Sequence, residues 1–195
     1  MSYESIRLAS ASPRRSLLLR QIGVVHEVDA VDLDESRLPG EAPADYVLRL
    51  ARAKAEAAVR AGCRLPVLAA DTAVAIGSEI FGKPQDEADA LRILAALSAR
   101  SHEVLTAVAL GWAGRMSTAL SVSTVRFRPL APDECRRYWA TGEPAGKAGS
   151  YAIQGCGAVF IERLEGSYSG VMGLPLFETA ALLDAAGVRR WSTAP

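Results

Sequence analysis

Two arginines stand where a helix would normally carry acids. In "LASASPRRSLLLRQIG", Leu8 to Gly23, a strand end runs into a helix with Ser12 as N-cap, Pro13 at its first position and Gly23 at its stop. The first turn is the positive end of the helix dipole, so Arg14 and Arg15 add charge of the same sign. With Ser10 and Ser12 beside them they describe an anion site built from backbone N–H groups, hydroxyls and two guanidinium forks. The alternative is a solvated face on which surface acids hold both arginines.

Further residues ask for the same kind of explanation. Lys54 follows Leu50 by one helical turn and lies on an apolar stripe. It either snorkels past the core or enters a cleft. A lysine on such a stripe is a burden unless an anion meets it, so the cleft reading predicts that its loss harms anion binding without lowering the melting temperature. Asp71 interrupts the apolar "VLAADTAVAI", where a carboxylate needs a partner or faces a ligand crevice. Lys83, between Gly82 and Pro84, is a loop lysine or a second phosphate cation. Asp32, Asp34 and Glu35 form a solvated loop or supply oxygens to a hard cation. Gln154, flanked by "AI" and "GCG", caps a turn or reads a nucleobase with its amide. Together these are the parts a nucleoside triphosphate enzyme needs: cations for phosphates, carboxylates for a metal and a base, and an amide for the nucleobase.

Other chemistries lack their parts. There is no GxxxxGK[ST] loop, and "GCGAVF" is not a dinucleotide fingerprint. Two histidines without CxxC or HExxH argue against zinc, and no histidine neighbours Cys156 to activate it as a nucleophile. Lys plus Arg and Asp plus Glu both total 22, a balance that disfavours a nucleic-acid polymer as partner. "MSYESIRL" has no secretory pattern, and no apolar run reaches membrane-spanning length. Three cysteines without paired spacing fit a reducing cytoplasm.

The elements that must position these residues follow from periodicity. "IRLAS" reads as a strand before the Arg14 helix, and "HEVDAVDLDES" as a strand feeding an acidic loop. Val47, Leu50, Ala51, Ala55 and Ala58 predict an amphipathic helix from Pro43 to about Ala61. "PVLAADTAVAI" is a buried strand, "GSEIFGKPQ" a turn and loop, and Asp86 to about Leu97 a helix. The alternating stretch from His102 to Leu130 folds as a hairpin around Gly114. Pro132 opens a helix, "GEPAGKAGSYAIQGCG" is a loop, "AVFIERLEG" a strand, and "LPLFETAALLDAAG" the last helix. Such an order favours a mixed-sheet α/β domain of α+β character, spanning 1–195, over a doubly wound sheet.

The chain resembles the Maf family of nucleotide pyrophosphatases. "LASASPRRSLL", "AADTAVAIGSEIFGKP", "LSARSHEVLTAVAL" and "GSYAIQGCGAVFIERLEGSYSGVMGLPL" match its blocks in order and spacing, from Leu8 to about Leu183. Ala99 and Ala152 stand where glycine is usual. The resemblance implies a fold similar to inosine triphosphate pyrophosphatases, two lobes about a central cleft, and hydrolysis of nucleoside triphosphates to monophosphate and pyrophosphate with magnesium or manganese. It implies Asp71 as proton acceptor, Arg15, Lys54 and Lys83 as catalytic cations, and Glu35 and Asp71 as metal ligands. Ser10, Arg14 and Arg15 would bind phosphate. Arg14, Thr72 and Gln154 are similar to the specificity residues of the dTTP/UTP branch. Two rival readings are a pyrophosphatase for modified nucleotides and a nucleotide-binding regulator of cell division. Family members are often dimers, so a homodimer is the assembly the resemblance allows.

Overall fold

The computed structural model describes residues 2–191; Met1 and Ser192 to Pro195, the ends of the expected 1–195 domain, lie outside them. Strand β1 (Ser5–Leu8) leads into helix α1 (Pro13–Gln21), and β2 (Val25–Val28) returns beside β1. Helix α2 (Pro43–Arg60) precedes β3 (Val67–Ile76), β4 (Glu79–Phe81) and α3 (Glu87–Leu97). Strands β5 (Ser101–Trp112) and β6 (Arg115–Phe127) form the long hairpin. Helix α4 (Pro132–Ala140), strand β7 (Ile161–Glu165) and helices α5 (Tyr168–Met172) and α6 (Leu176–Ala185) complete the order.

One 7-stranded sheet runs β2-β1-β3-β5-β6-β7, with β4 paired to β3. Strand β1 is parallel to β2 and β3, and every later pairing is antiparallel, so the sheet is mixed as expected. The hairpin turns on Ala113 and Gly114 at φ 47 and 74, a pair of positive φ values that matches the right-handed twist of its strands. The sequence reading needs three corrections. Glu79–Phe81 pairs with Val74–Ile76 as a strand and is not loop. The strand expected from Ala158 begins at Ile161, because Cys156–Phe160 coils into a 3-10 turn. Helix α5, capped by the Ser167 side chain on the Gly170 N–H, was not foreseen.

Alternation along β3 divides the core. Leu68, Ala70 and Val74 face a large cluster with Phe81, Phe127 and Phe160, each almost wholly buried. Val67, Ala69, Ala73 and Ala75 face α2, whose Ala51, Ala55 and Ala58 meet them. Small side chains on both surfaces let helix and sheet approach closely, which brings a lysine on the helix within reach of an acid on the strand. Among the described residues no helix is long and apolar enough to cross a membrane. All three cysteines are free thiols.

Candidate active site

The site begins as a gap in the sheet. On one edge of β3, β1 pairs with Val67 and Leu68, while β4 pairs with Val74, Ala75 and Ile76. The other edge pairs with β5 from Val67 to Ala75. Between the two short neighbours, residues 69–73 have no adjoining strand, and a cleft of about 870 Å³ opens there. Asp71 and Thr72 stand in that gap and, being consecutive, serve its two faces.

On the α2 face, Lys54 is the centre of charge. Its Nζ lies 2.7 Å from Asp71 Oδ1 and 2.6 Å from Glu35 Oε1. Lys54 and Asp71 are both buried, so the cleft reading of Lys54 is correct and the snorkelling alternative is not. Glu35 comes from the loop before α2, which Tyr46 fixes by donating its hydroxyl to the Glu35 carbonyl at 3.0 Å. Arg49 holds the same loop through Ser36 O and the Glu41 carboxylate. Burial pushes the Glu35 carboxyl up, but Lys54, Lys83 and Arg15 outweigh it and hold the group below its ordinary range. Lys83 is looser, 3.9 Å from Glu35 Oε2 and largely exposed.

The α1 face is built differently. Ser12 occupies the N-cap position, yet its side chain caps nothing; its own N–H goes to Ser10 Oγ at 3.3 Å. Among the described residues the N-terminal N–H groups of α1 therefore have no side-chain cap. Arg15 donates to Gly173 O at 2.8 Å, Ser10 Oγ at 2.9 Å and Thr72 Oγ1 at 3.3 Å. Arg14 donates to Met172 O at 3.4 Å. Every one of these acceptors is neutral, and burial lowers the pKa of both guanidinium groups. Thr106 gives its proton to Gly170 O at 2.8 Å, so Thr72, 3.0 Å away, must be the donor between the two threonines. Thr72 thus accepts from Arg15 and donates to Thr106, which makes it a strut for the guanidinium in this arrangement.

Sequence reasoning missed three contributors. Lys147 lines the cleft, with its ammonium donated to the Glu143 carbonyl and its pKa lowered by burial and by Arg14. A lone lysine among the glycines of "GEPAGKAG" was the available signal. The Met172 and Gly173 carbonyls that seat the arginines left none, because any residue type supplies a carbonyl. Gln154 is exposed on the cleft wall, and its amide makes no hydrogen bond among the described residues. Asp34 also lines the cleft but spends Oδ1 on the Ser36 N–H at 2.9 Å, and Asp32 does not line it. Among the described residues no cluster of three or more His, Cys, Asp or Glu is placed to hold a metal.

Known proteins resemble the chain over nearly its whole length. A dTTP/UTP pyrophosphatase of Burkholderia pseudomallei (strain 1710b) is 54% identical over 200 residues, covering 96% of both chains. The protein of the same name from Bordetella parapertussis is 54% identical over 191 residues, 93% of this chain and 92% of the relative. That of Cupriavidus metallidurans is 51% identical over 193 residues, 93% of this chain and 96% of the relative. The family described as Maf-like protein matches residues 5–186, nearly the whole described chain, and the protein belongs to that family.

Proposed function

We infer that the protein is a nucleoside triphosphate pyrophosphatase that hydrolyses dTTP and UTP to the monophosphate and pyrophosphate. The observation that carries the chemistry is the juxtaposition, at one gap in β3, of a buried carboxylate and guanidinium groups held only by neutral acceptors. The relatives named dTTP/UTP pyrophosphatase support the substrate.

Asp71 is the proton acceptor for the attacking water. Lys54 occupies its Oδ1, and among the described residues no donor meets Oδ2, which is left to take the proton as oxygen attacks the α-phosphorus. Arg14, Arg15 and the N-terminus of α1 bind phosphate oxygens, with Ser10 orienting Arg15. Lys54, Lys83 and Arg15 stabilise the charge that builds on the phosphoryl oxygens and the departing pyrophosphate. Gln154 offers one acceptor and two donor hydrogens, enough to pair with the N3–H and O4 of thymine or uracil together.

Glu35 and Asp71 fit a divalent cation in donor chemistry: each carboxylate gives one oxygen to the Lys54 ammonium, and their other oxygens, with substrate phosphates and water, would make up the shell. Those two residues would hold magnesium or manganese, which when bound polarises phosphate oxygens and makes a bound water more acidic. A cytoplasmic location and a homodimeric assembly belong to the same proposal, the first supported by the three free thiols.

The test is pyrophosphate release by the purified protein across a panel of canonical and modified triphosphates, with added magnesium or manganese. Turnover with dTTP and UTP leading the panel is the expected result. Faster turnover of a modified nucleotide moves the substrate assignment. Tight nucleotide binding without pyrophosphate release favours a regulatory binding protein and overturns the enzyme.

A further inference from the structure

Among the described residues Gln154 has no side-chain partner of its own, so the backbone on either side must fix where its amide points. That backbone is held by two residues outside the cleft wall. The Glu143 carboxylate accepts the Cys156 N–H on Oε2 at 2.8 Å and the Gly157 N–H on Oε1 at 2.9 Å. Tyr138 donates its hydroxyl to Glu143 Oε1 at 2.7 Å, and the Tyr138 hydroxyl oxygen accepts the Ala152 N–H at 3.1 Å. The stretch 152–157 is thereby gripped on both sides of residue 154 by one carboxylate–phenol pair.

The pair is anchored in turn. Tyr138 is buried on α4, and its ring meets Phe160 edge to face at 4.9 Å. The turn carrying Glu143 is closed by its own N–H to Thr141 Oγ1 at 3.2 Å, while Thr141 donates to Tyr138 O at 2.7 Å. The grip also explains both glycines of "QGCG". A Cβ on Gly155 would lie 2.1 Å from Glu143 Oε2, and one on Gly157 would lie 2.6 Å from the Tyr138 hydroxyl. Neither glycine has positive φ, so close approach, not backbone conformation, is what sets them: a side chain there would have to displace the Glu143 carboxylate or the Tyr138 hydroxyl.

We propose that Glu143, working with Tyr138, is the positioning residue for base selection: its carboxylate fixes the Ala152–Gly157 backbone so that the Gln154 amide meets the nucleobase in one place. The proposal rests on the reading that Gln154 selects the base. A carboxylate suits the task because it accepts from the phenol and from two N–H groups at once, where a glutamine would turn an NH₂ toward one of those donors.

The experiment measures kcat and KM for dTTP and GTP in the wild type, Glu143→Gln, Tyr138→Phe, Gln154→Ala and the double variant Glu143→Gln/Gln154→Ala, with melting temperatures alongside. Glu143→Gln is expected to lower the dTTP-to-GTP ratio of kcat/KM about tenfold, the size expected when hydrogen bonds to a charged acceptor are broken. The loss should fall on the KM for dTTP more than on kcat, since the reacting groups are untouched. In the Gln154→Ala background the same change should lower the ratio no further, because a residue acting through Gln154 has nothing left to position. An unchanged ratio in Glu143→Gln beside a collapsed ratio in Gln154→Ala overturns the positioning role and leaves base reading intact. An unchanged ratio in Gln154→Ala overturns base reading and this inference with it. Equal losses for both nucleotides, or a further fall in the double variant, assign Glu143 a purely structural role. If Glu143→Gln does not fold, Tyr138→Phe decides alone: a drop of about threefold supports the grip, and no drop overturns it.

Discussion

Replacing Lys54 by methionine removes one ammonium and leaves two carboxylates facing the space it held. Its Nζ lies 2.6 Å from Glu35 and 2.7 Å from Asp71, and the side chains of Lys54, Asp71 and Glu35 are 9%, 10% and 41% exposed. At an effective dielectric near 20, each contact represents about 6 kcal/mol of attraction before desolvation. Taking Lys54 and Asp71 out of water consumes much of that, and solvent screening discounts the Glu35 share. Removing one partner of a buried pair costs about 3–5 kcal/mol, and the half-solvated Glu35 puts this case at the lower end. For a chain of this size about 3 kcal/mol lowers Tm by about 6–12 °C. That corrects the expectation that losing the ammonium spares the melting temperature. The anions that meet this lysine are already within the protein.

The pH dependence follows from Glu35, whose carboxyl is held below its ordinary range: burial opposes the shift and Lys54 is the foremost attraction. A carboxylate with a depressed folded pKa adds stability above its unfolded value and loses it as pH falls through the folded value. The Tm deficit of Lys54→Met should therefore be largest near neutrality and shrink below about pH 4. Thermal melts of both proteins at about pH 7 and at about pH 3, below the ordinary carboxyl range, make the comparison. A Tm within a degree or so of wild type at neutrality, or a deficit that persists in acid, refutes the ion-pair argument.

Asp71→Asn keeps the shape of the proton acceptor without its basicity, so kcat should fall about 10²-fold or more with little change in dTTP affinity. Activity within about threefold of wild type removes Asp71 from the acceptor role. Ala99 is exposed at φ 56, where alanine costs about 1 kcal/mol over glycine, so Ala99→Gly should raise the free energy of unfolding by about 0.5–1 kcal/mol in denaturant titrations. A destabilised Ala99→Gly protein contradicts the strain. His102 is 2% exposed and lowered to about 4 by burial. The unfolded chain thus takes up the proton first as pH falls from about 6.5, and about 3 kcal/mol should be lost by about pH 4. His102→Gln should flatten the slope of stability against pH across that window, and an unchanged slope assigns it to other groups.

Local periodicity carried most of the fold, and partnership across the chain carried what was missed. Helix α2 was legible because Val47, Leu50, Ala51, Ala55 and Ala58 repeat at the helical period, and the hairpin because its alternation breaks at Ala113–Gly114. Strand β4 was not, since three residues have no period and become a strand only by pairing with β3. Helix α5 depends on the Ser167 cap and the left-handed Gly173 at its end, signals that are weak over five residues. Within the site, residue types pointed to anion chemistry, but no local pattern reveals that one ammonium serves two carboxylates. Nor does one reveal that Thr72 spends its hydroxyl on Arg15 and Thr106.

The pairing pattern answers why two arginines open α1. Cations in the cleft divide by the kind of acceptor that holds them. Lys54 and Lys83 meet acids, so the half of the gap around Asp71 is close to neutral. Arg14, Arg15 and Lys147 meet carbonyls and hydroxyls, so the other half keeps its positive charge and the helix dipole adds to it. The border runs between Asp71 and Thr72, adjacent residues on opposite faces of one strand. A triphosphate approaching an unshielded Asp71 would be repelled by it. Lys54 cancels that repulsion through Oδ1 and leaves Oδ2 without a donor among the described residues, and the guanidinium groups held by neutral acceptors supply the attraction on the other side. On the proposed function, the charge arrangement that disfavours an empty cleft is the one that favours a polyanion within it.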